Sequence, residues 1–537
     1  GAGSFSSLAG AVYNGGPGVV LLFVIVGIAC GFTAFCYSEF ASRIPVAGSA
    51  YTYAYVSFGE MFAWIIGWAL LMEYSIGNIY VAYSWSDYFT SLMGRMDLHV
   101  PAYFSTSYLE AKKAFESQSL NKELIAAWTN APVIGGLKII LDIPAIMINI
   151  LITYLVYRGV KESRNFSNVM VILKMLVICV VILVGGYLVF KNGLTFNWFP
   201  TNPEGVKSFM PNGFGGIMLA VSGVFFAYIG FDAVSVLAEE SKNPQKDLPR
   251  GMIYSLIICT VVYILLALVL TGAVNYLKFD GVGDPLAFIF EEQNLNVGWM
   301  QTLVALCAVI AMSSVLLVFQ MGQPRIWLSM SRDGLLPAKF REIHPKYKTP
   351  KFSTILTGFI VGVPLLFTDK TFVLDFTSIG TLFAFVLVCG GVLLIPRRKK
   401  EKGKFHLPYV NANFVFPVML ITSACVVYGK TNYFEDIFNF DFSGVPEYVE
   451  GKKSFMDMAM TKIASIIFWI VCIVLAVFAY LKKFSLIPLL GLVSCLYLLT
   501  GMTKENWAWF LAWLLIGLLV YLSYGFKKSK LAKQHGH

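Results

Sequence analysis

The residues Phe225-Phe226-Ala227-Tyr228-Ile229-Gly230-Phe231-Asp232 interrupt an apolar stretch that runs from Asn212 to Glu240. A carboxylate near the centre of a membrane span costs about 2.5 to 3.5 kcal/mol, so chains retain one there mainly where the residue has a task. Gly230 beside Asp232 predicts a point where the helix unwinds. Peptide groups freed at such a point must line a polar cavity, which makes the segment a candidate binding site. A Gly-Asp kink that merely packs against another helix is the alternative.

The composition indicates a protein that crosses a membrane many times. Of 537 residues, 57% are hydrophobic and 13% are charged, and the mean hydropathy is +0.70. Apolar runs of about 17 to 25 residues are long enough to span a bilayer. Such runs lie near 17-42, 58-92, 136-158, 166-190, 213-238, 251-276, 298-328, 352-368, 373-395, 412-429, 463-481, 485-502 and 506-526. Residues 1-14 predict one further helix, which we expect to be truncated because the sequence opens without an initiator Met.

The net charge of +10 does not indicate a nucleic-acid partner, because the basic residues cluster at the ends of predicted spans. The clusters are Arg397-Arg398-Lys399-Lys400, the loop 325-351 and the tail 527-537. Most Lys and Arg residues face the cytoplasm if the chain starts there and alternates sides, as the positive-inside rule requires. We therefore predict a multi-pass cell-membrane protein with both termini in the cytoplasm. Its basic clusters would mainly anchor this topology, and contact with anionic membrane lipids is the lesser interpretation.

Residue patterns typical of enzymes and metal sites are not visible in the sequence. The nine cysteines fall within predicted spans and the five histidines in loops or the tail, which excludes a histidine proton relay across the membrane. The sequence has no HExxH, GxSxG or phosphate-loop pattern. We therefore predict no catalytic residue, no cofactor and no metal, and a protein that is not an enzyme.

Two glycine-interrupted segments stand five predicted spans apart, around Gly3 in span 1 and Gly230 in span 6. Broken helices at matching positions of two halves indicate an inverted repeat with a binding site near the midplane. We predict an all-α integral membrane protein of fourteen helices. Its parts would be five-helix repeats at 1-191 and 213-396, four additional helices at 405-526, and a basic tail at 527-537.

Lys174 is the candidate coupling residue, because it lies about four residues, or roughly 6 Å, from the middle of predicted span 5. A buried amine can be pushed to titrate near neutrality, so the lysine is a plausible proton carrier. Glu73 and Asp232 are the available partners. A permanently paired structural lysine is the alternative interpretation.

Ser313-Ser314 interrupts predicted span 8 with two hydroxyl groups. They would either ligate Na⁺ or accept a hydrogen bond from Lys174, and a nearby fixed ammonium would exclude Na⁺. Serines that bond back to their own helix are an equally good interpretation.

The broken helices would offer backbone groups to a zwitterion. Amides around Ala2, Gly3 and Ser4 present the positive end of a helix to a carboxylate. Carbonyls around Phe226, Ala227 and Ile229 would receive an ammonium. An amino acid carries both groups on one carbon and fits this pairing.

Five ordered motifs resemble a known family. They are Gly1-Ala2-Gly3-Ser4-Phe5, the stretches 38-51 and 225-235, Glu239-Glu240-Ser241-Lys242-Asn243-Pro244 and Ser331-Arg332-Asp333-Gly334-Leu335-Leu336-Pro337. In these motifs the chain resembles the amino acid-polyamine-organocation superfamily, and most of all the cationic amino acid transporter branch with its bacterial relatives. The resemblance covers residues 1 to about 396 and again 507-525.

The resemblance implies alternating access and amino acid uptake driven by protons. It also implies that Lys174 occupies the place of sodium in sodium-coupled relatives and contacts Ser313-Ser314, and that the same backbone groups form the substrate clamp. Two departures stand out. Ser4 replaces the apolar residue usual in the first motif, and four helices follow the repeat, as in the larger family members.

The substrate remains open between small neutral and cationic amino acids. Phe319, if it faced the pocket, would leave room for a small side chain, which favours small neutral substrates. We predict a proton-coupled importer of an L-amino acid; an exchanger and a non-transporting sensor are the alternatives. A small accessory membrane subunit is a further partner that the sequence neither indicates nor excludes.

Overall fold

The computed structural model describes residues 2-43, 49-117, 121-159, 164-201, 205-234, 241-396, 404-430, 432-440 and 455-529. Several predicted features lie outside the described residues. They are Gly1, positions 44-48 of the second motif, Glu239-Glu240, the cluster at 397-400 and the tail beyond residue 529.

The described chain is mostly α-helical. The α-helices are α1 Ala2–Ser6, α2 Leu8–Gly15, α3 Val19–Arg43, α4 Ser49–Phe58, α5 Glu60–Arg95, α6 Tyr108–Glu116, α7 Lys122–Thr129, α8 Ile143–Arg158, α9 Arg164–Lys191, α10 Gly213–Leu219, α11 Val221–Tyr228, α12 Pro244–Ala273, α13 Pro285–Phe288, α14 Gly298–Arg332, α15 Lys351–Gly362, α16 Lys370–Leu394, α17 Val415–Lys430, α18 Tyr433–Phe438, α19 Phe455–Lys482, α20 Leu486–Leu499, α21 Lys504–Val520 and α22 Phe526–Lys528. Short 3₁₀ turns lie at Gly16–Gly18, Ala102–Phe104, Leu194–Trp198, Tyr276–Phe279, Ala338–Arg341 and Pro364–Leu366, and a π turn lies at Tyr521–Gly525.

Eight helical stretches among the described residues are long and apolar enough to cross a membrane. A ninth span arises if α10 and the helix after it, which bend by 44°, are counted as one. Four shorter apolar helices, α8, α15, α17 and α20, lie at other predicted spans. The multi-pass helical fold is therefore confirmed, whereas the fourteen-helix inverted repeat stays a prediction.

The predicted span 136-158 starts later in the structure than the apolar run does. Val133–Ile134 (β1) and Leu137–Lys138 (β2) form an antiparallel hairpin. Gly135 and Gly136 make the turn with φ of 60° and 83°, the backbone region that a tight hairpin turn requires. The helix begins only at Ile143, where the carboxylate of Asp142 accepts a hydrogen bond from the amide of Ala145 at 3.0 Å. Local turn and cap chemistry thus outweigh hydrophobicity here.

The structure divides into two compact units. The first comprises residues 1-27, 71-230 and 257-378. Within it α14 packs against α8, α9 and α15, and α1 and α2 pack against α11. This unit contains almost every candidate site residue.

The second unit comprises residues 28-70, 231-256 and 379-537. The indole nitrogen of Trp68 donates to the carbonyl of Trp513 at 2.8 Å, and Trp513 returns a bond of 3.1 Å to the carbonyl of Trp68. The Trp64 indole donates to the carbonyl of Gly517 at 2.8 Å. These bonds hold α21 against the first part of α5.

Candidate functional site

The helical backbone is interrupted after Tyr228, where α11 ends. Ile229 has φ −58° and ψ 134°, and Gly230 has φ 121°. A side chain is strongly disfavoured at such a φ, so glycine is the residue that permits this turn. At Ile229 the ψ angle is rotated by nearly half a turn from the helical value, which directs its carbonyl away from the run of helical carbonyls. The interruption predicted at Gly230 is therefore present.

The start of the chain lies directly against α11. A methyl group on Gly3 would stand 2.5 Å from the Cα atom of Ala227, so only glycine allows this approach. Ser7 fixes the pair further, because its hydroxyl donates to the carbonyl of Gly223 at 2.6 Å. Ala2, Gly3 and Ser4 are all buried in the first turn of α1, where backbone amides have no acceptor within their own helix. The two predicted parts of the clamp are thus neighbours.

Two carbonyl groups of the predicted clamp, those of Phe226 and Ala227, accept hydrogen bonds within the protein. The amide of Ile229 donates to the carbonyl of Phe226 at 3.2 Å. The hydroxyl of Tyr263 donates to the carbonyl of Ala227 at 2.8 Å. A carbonyl oxygen has two lone pairs, so these bonds position the groups without exhausting their capacity to accept a further hydrogen bond.

Lys174 of α9 reaches α14, where its ammonium donates a hydrogen bond to the hydroxyl of Ser314. Ser314 in turn donates to the carbonyl of Ala311 at 3.1 Å. The neighbouring Ser313 has another set of partners. Its hydroxyl accepts from the indole of Trp85 at 2.9 Å and donates to the carbonyl of Val309 at 2.8 Å. Adjacent serines on one helix therefore face different neighbours.

The remaining predicted residues, Phe319, Glu73 and Asp232, are all buried. Phe319 is buried against α5, with its ring 5.4 Å from that of Tyr74 and edge-on to it. Glu73 is buried on the same helix. Asp232 is also buried, but it belongs to the second unit.

Sequence reasoning missed two tyrosines at the clamp. The ring of Tyr80 lies 4.5 Å from that of Phe226, edge to face, and Tyr263 supplies the hydrogen bond to Ala227. Nothing in the sequence distinguishes these two from the other tyrosines of the chain, which has 27 in all. Only their contacts identify them.

A charged cluster lies where α5 and α8 approach the start of α16. The ammonium of Lys370 pairs with Asp87, and that of Lys113 on α6 pairs with Asp369 at 2.8 Å. Burial, reinforced by the negative charge of Asp87, raises the pKa of Glu110 on α6 to about 8. Lys370 partly offsets this effect. Among the described residues, no group of three or more His, Cys, Asp or Glu side chains has the geometry of a metal site.

Comparison with known proteins identifies the family to which these features belong. Residues 1–434 match the family model described as "Amino acid permease", and residues 485–529 match that of the C-terminus of such permeases. The chain is 34% identical over 532 residues to the branched-chain amino acid permease BcaP of Bacillus subtilis (strain 168), covering 99% of this chain and 90% of that one.

Two other relatives have different names. The methylthioribose transporter of Bacillus subtilis (strain 168) is 39% identical over 419 residues, which cover 77% of this chain and 80% of that protein. The vacuolar cationic amino acid transporter 2 of Arabidopsis thaliana is 30% identical over 579 aligned positions, which cover 97% and 85% of the two chains. The family match, the membrane-length helices and the interrupted helix agree with one another, and the chain belongs to the amino acid permease family of the amino acid-polyamine-organocation superfamily.

Proposed function

We propose that this permease imports an L-amino acid together with protons, by alternating access. The observation that carries the proposal is the hydrogen bond from Lys174 to Ser314. It joins an ammonium to a hydroxyl that would otherwise be available to a monovalent cation. A fixed positive charge there disfavours Na⁺ binding, and a lysine that releases its proton during the cycle would take the place of the ion.

The substrate would be held by the backbone at the interrupted helix. The amides of Ala2, Gly3 and Ser4 would bind the carboxylate, and the carbonyls of Phe226, Ala227 and Ile229 would bind the ammonium. The close approach of Gly3 to Ala227, where an added methyl group would stand 2.5 Å from the Cα atom, supports this arrangement because it brings both sets of groups together. Glu73 and Asp232 would tune the lysine or stabilise the broken helices.

The names of the relatives support more than one substrate class. We propose a small neutral amino acid ahead of a cationic one. The relative named as a branched-chain permease and the bulk of buried Phe319 support the neutral class, while the relative named as a cationic transporter supports the other. Because another relative is named as a methylthioribose transporter, this thio-sugar belongs in any substrate panel.

The proposal includes the arrangement of the membrane helices. Fourteen helices would include an inverted repeat at 1-191 and 213-396, with both termini in the cytoplasm of a cell-membrane protein. An inverted repeat would allow one half to rock against the other around the site, which is the usual structural basis of alternating access.

Uptake into sodium-free proteoliposomes tests the coupling residue. We expect an imposed inward pH gradient to drive accumulation of labelled alanine by the unchanged protein and not by Lys174→Ala. Lys191→Ala is the matched control, because Lys191 lies on the same helix but is exposed. Undiminished accumulation by Lys174→Ala would remove the lysine from the mechanism.

The same vesicles separate the competing functions and substrates. Labelled arginine and methylthioribose are offered in parallel with alanine. Uptake that needs internal amino acid and ignores the pH gradient would indicate an exchanger. Binding without flux would indicate a sensor.

A further inference from the structure

The segment between α5 and α8 carries an apolar tip on its hairpin. Val133 pairs with Lys138 and Ile134 pairs with Leu137 across the Gly135-Gly136 turn. Val133, Ile134 and Leu137 are 61%, 68% and 68% exposed. The tight turn therefore carries three large exposed aliphatic side chains, with Ile134 and Leu137 on one face and Val133 on the other, and their contact with water is unfavourable.

The base of the same hairpin is well packed. Ile140 and Ala131 join Ala111 of α6 and Ala127 of α7 in a small buried core. The charged neighbour of the tip is folded back, because the ammonium of Lys138 donates to the carbonyl of Trp128 and lies 4.7 Å from the centre of its ring. The exposure of the tip is thus a feature of an ordered subdomain.

The position of the hairpin along the chain places it near the membrane surface. The segment joins two helices of the bundle, so both of its ends lie on one side of the bilayer. The stretch from Leu137 to Ile143, where α8 begins, spans at most about 20 Å even when extended. On α8 itself, Met147 and Ile150 are 64% and 62% exposed, as expected of a face turned to lipid.

We propose that the tip formed by Val133, Ile134 and Leu137 inserts into the phospholipid interface next to α8 and anchors the α6-α7 subdomain to the bilayer. Moving aliphatic side chains from water into the boundary between headgroups and acyl chains is energetically favourable. Lys138 and Trp128, which lie behind the tip, are residue types that favour the depth of the headgroups. This anchor does not depend on the substrate or on the coupling ion, so its test is independent of the proposed transport function.

Spin labelling of the purified, reconstituted protein tests the anchor. Cys179 and Cys425, the two exposed cysteines among the described residues, are first replaced by Ala. A nitroxide is then attached in Ile134→Cys, with Lys122→Cys at the exposed start of α7 as the matched control. Collision rates with oxygen, which concentrates in lipid, and with a water-soluble nickel chelate are measured in phosphatidylcholine vesicles.

We expect the ratio of oxygen to nickel collisions to be severalfold higher at position 134 than at position 122, and to fall when Val133 and Leu137 are changed to Ser. Equal ratios at the two positions would overturn the proposal. Spin-spin broadening at position 134 that disappears on dilution with lipid would also overturn it, because the tip would then contact a second copy of the protein. Uptake by the labelled protein, measured in parallel, shows whether the transport function is intact.

Discussion

At the scale of single residues, the neighbouring hydroxyls of Ser313 and Ser314 on α14 bind different partners. Ser314 accepts a hydrogen bond from Lys174, whereas Ser313 is engaged by Trp85. A hydrogen bond from a charged donor contributes about 1.5 to 3 kcal/mol, twice or more the value of a neutral one. Substitutions at these two positions therefore separate the interaction with Lys174, the proposed coupling residue, from ordinary helix packing.

We expect Ser314→Ala to reduce pH-driven alanine accumulation by about tenfold, which corresponds to about 1.4 kcal/mol. Ser313→Ala loses only neutral hydrogen bonds, one from Trp85 and one to the carbonyl of Val309, and should reduce accumulation by less than about threefold. Initial uptake rates under an identical pH gradient provide the measurement. Equal losses of uptake rate in the two variants would show that the hydrogen bond from Lys174 to Ser314 does not contribute to uptake.

At the scale of helices, the contact of α1 with α11 depends on Gly3, which has no side chain. Gly3→Ala would place a methyl group 2.5 Å from the Cα atom of Ala227, so one helix must move. We expect the variant to lose about 1 to 3 kcal/mol of stability and to bind alanine more weakly. Gly10→Ala in α2 is the control, since nothing lies within 4 Å of its added methyl group and alanine favours a helix by about 0.5 to 1 kcal/mol. Thermal unfolding in detergent compares the two, and equal melting temperatures would contradict the close approach.

A second prediction at this scale concerns α6 and pH. Glu110 faces Asp87 on α5, Asp142 before α8, and Asp369 and Lys370 at the start of α16. Burial raises its pKa from 4.5 to about 8, so between these values the unfolded chain binds fewer protons than the folded one. The contribution of Glu110 to stability is therefore complete below pH 4.5 and is lost as the pH rises to about 8.

We expect Glu110→Gln to unfold at a temperature that falls less between pH 5 and pH 8 than that of the unchanged protein, because glutamine stays neutral. Glu116→Gln is the control, since the Glu116 side chain is 43% exposed on the same helix and should leave the slope unchanged. Melting temperatures at both pH values, recorded in one detergent, give the comparison. An unaltered slope in Glu110→Gln would mean that the carboxyl is charged throughout.

At the scale of the whole molecule, residues far apart in the chain complete each compact unit. In the second unit, Trp64 and Trp68 of α5 bind the backbone of α21 through indole hydrogen bonds. Gly517 makes room for this, because a methyl group there would lie 2.5 Å from the indole nitrogen of Trp68. These contacts attach α21 to the first part of α5.

We expect Gly517→Ala to lower the free energy of unfolding by about 1 to 3 kcal/mol through overpacking against Trp68. Gly251→Ala in α12, whose added methyl group meets nothing within 4 Å, belongs to the same unit and should not. Chemical denaturation followed by tryptophan fluorescence distinguishes them. A Gly517→Ala protein as stable as the unchanged one would show that α21 is held loosely.

The sequence by itself determined the features that depend on composition and on local backbone preference. High hydropathy required many membrane helices, and Gly230 beside Asp232 located the end of α11. Lys174 and the serine pair were visible because polar residues are rare in apolar spans. Where local turn chemistry competed with hydropathy, as at Gly135 and Gly136, the start of α8 was predicted several residues too early.

Only the tertiary structure decided which of these groups meet. It selected Ser314 rather than Ser313 as the partner of Lys174, packed Phe319 against Tyr74, and brought Tyr263 to the carbonyl of Ala227. The physical reason is that each contact depends on the rotation and depth of two helices distant in the chain. Those quantities are set by close packing of the whole bundle, and no local pattern encodes them.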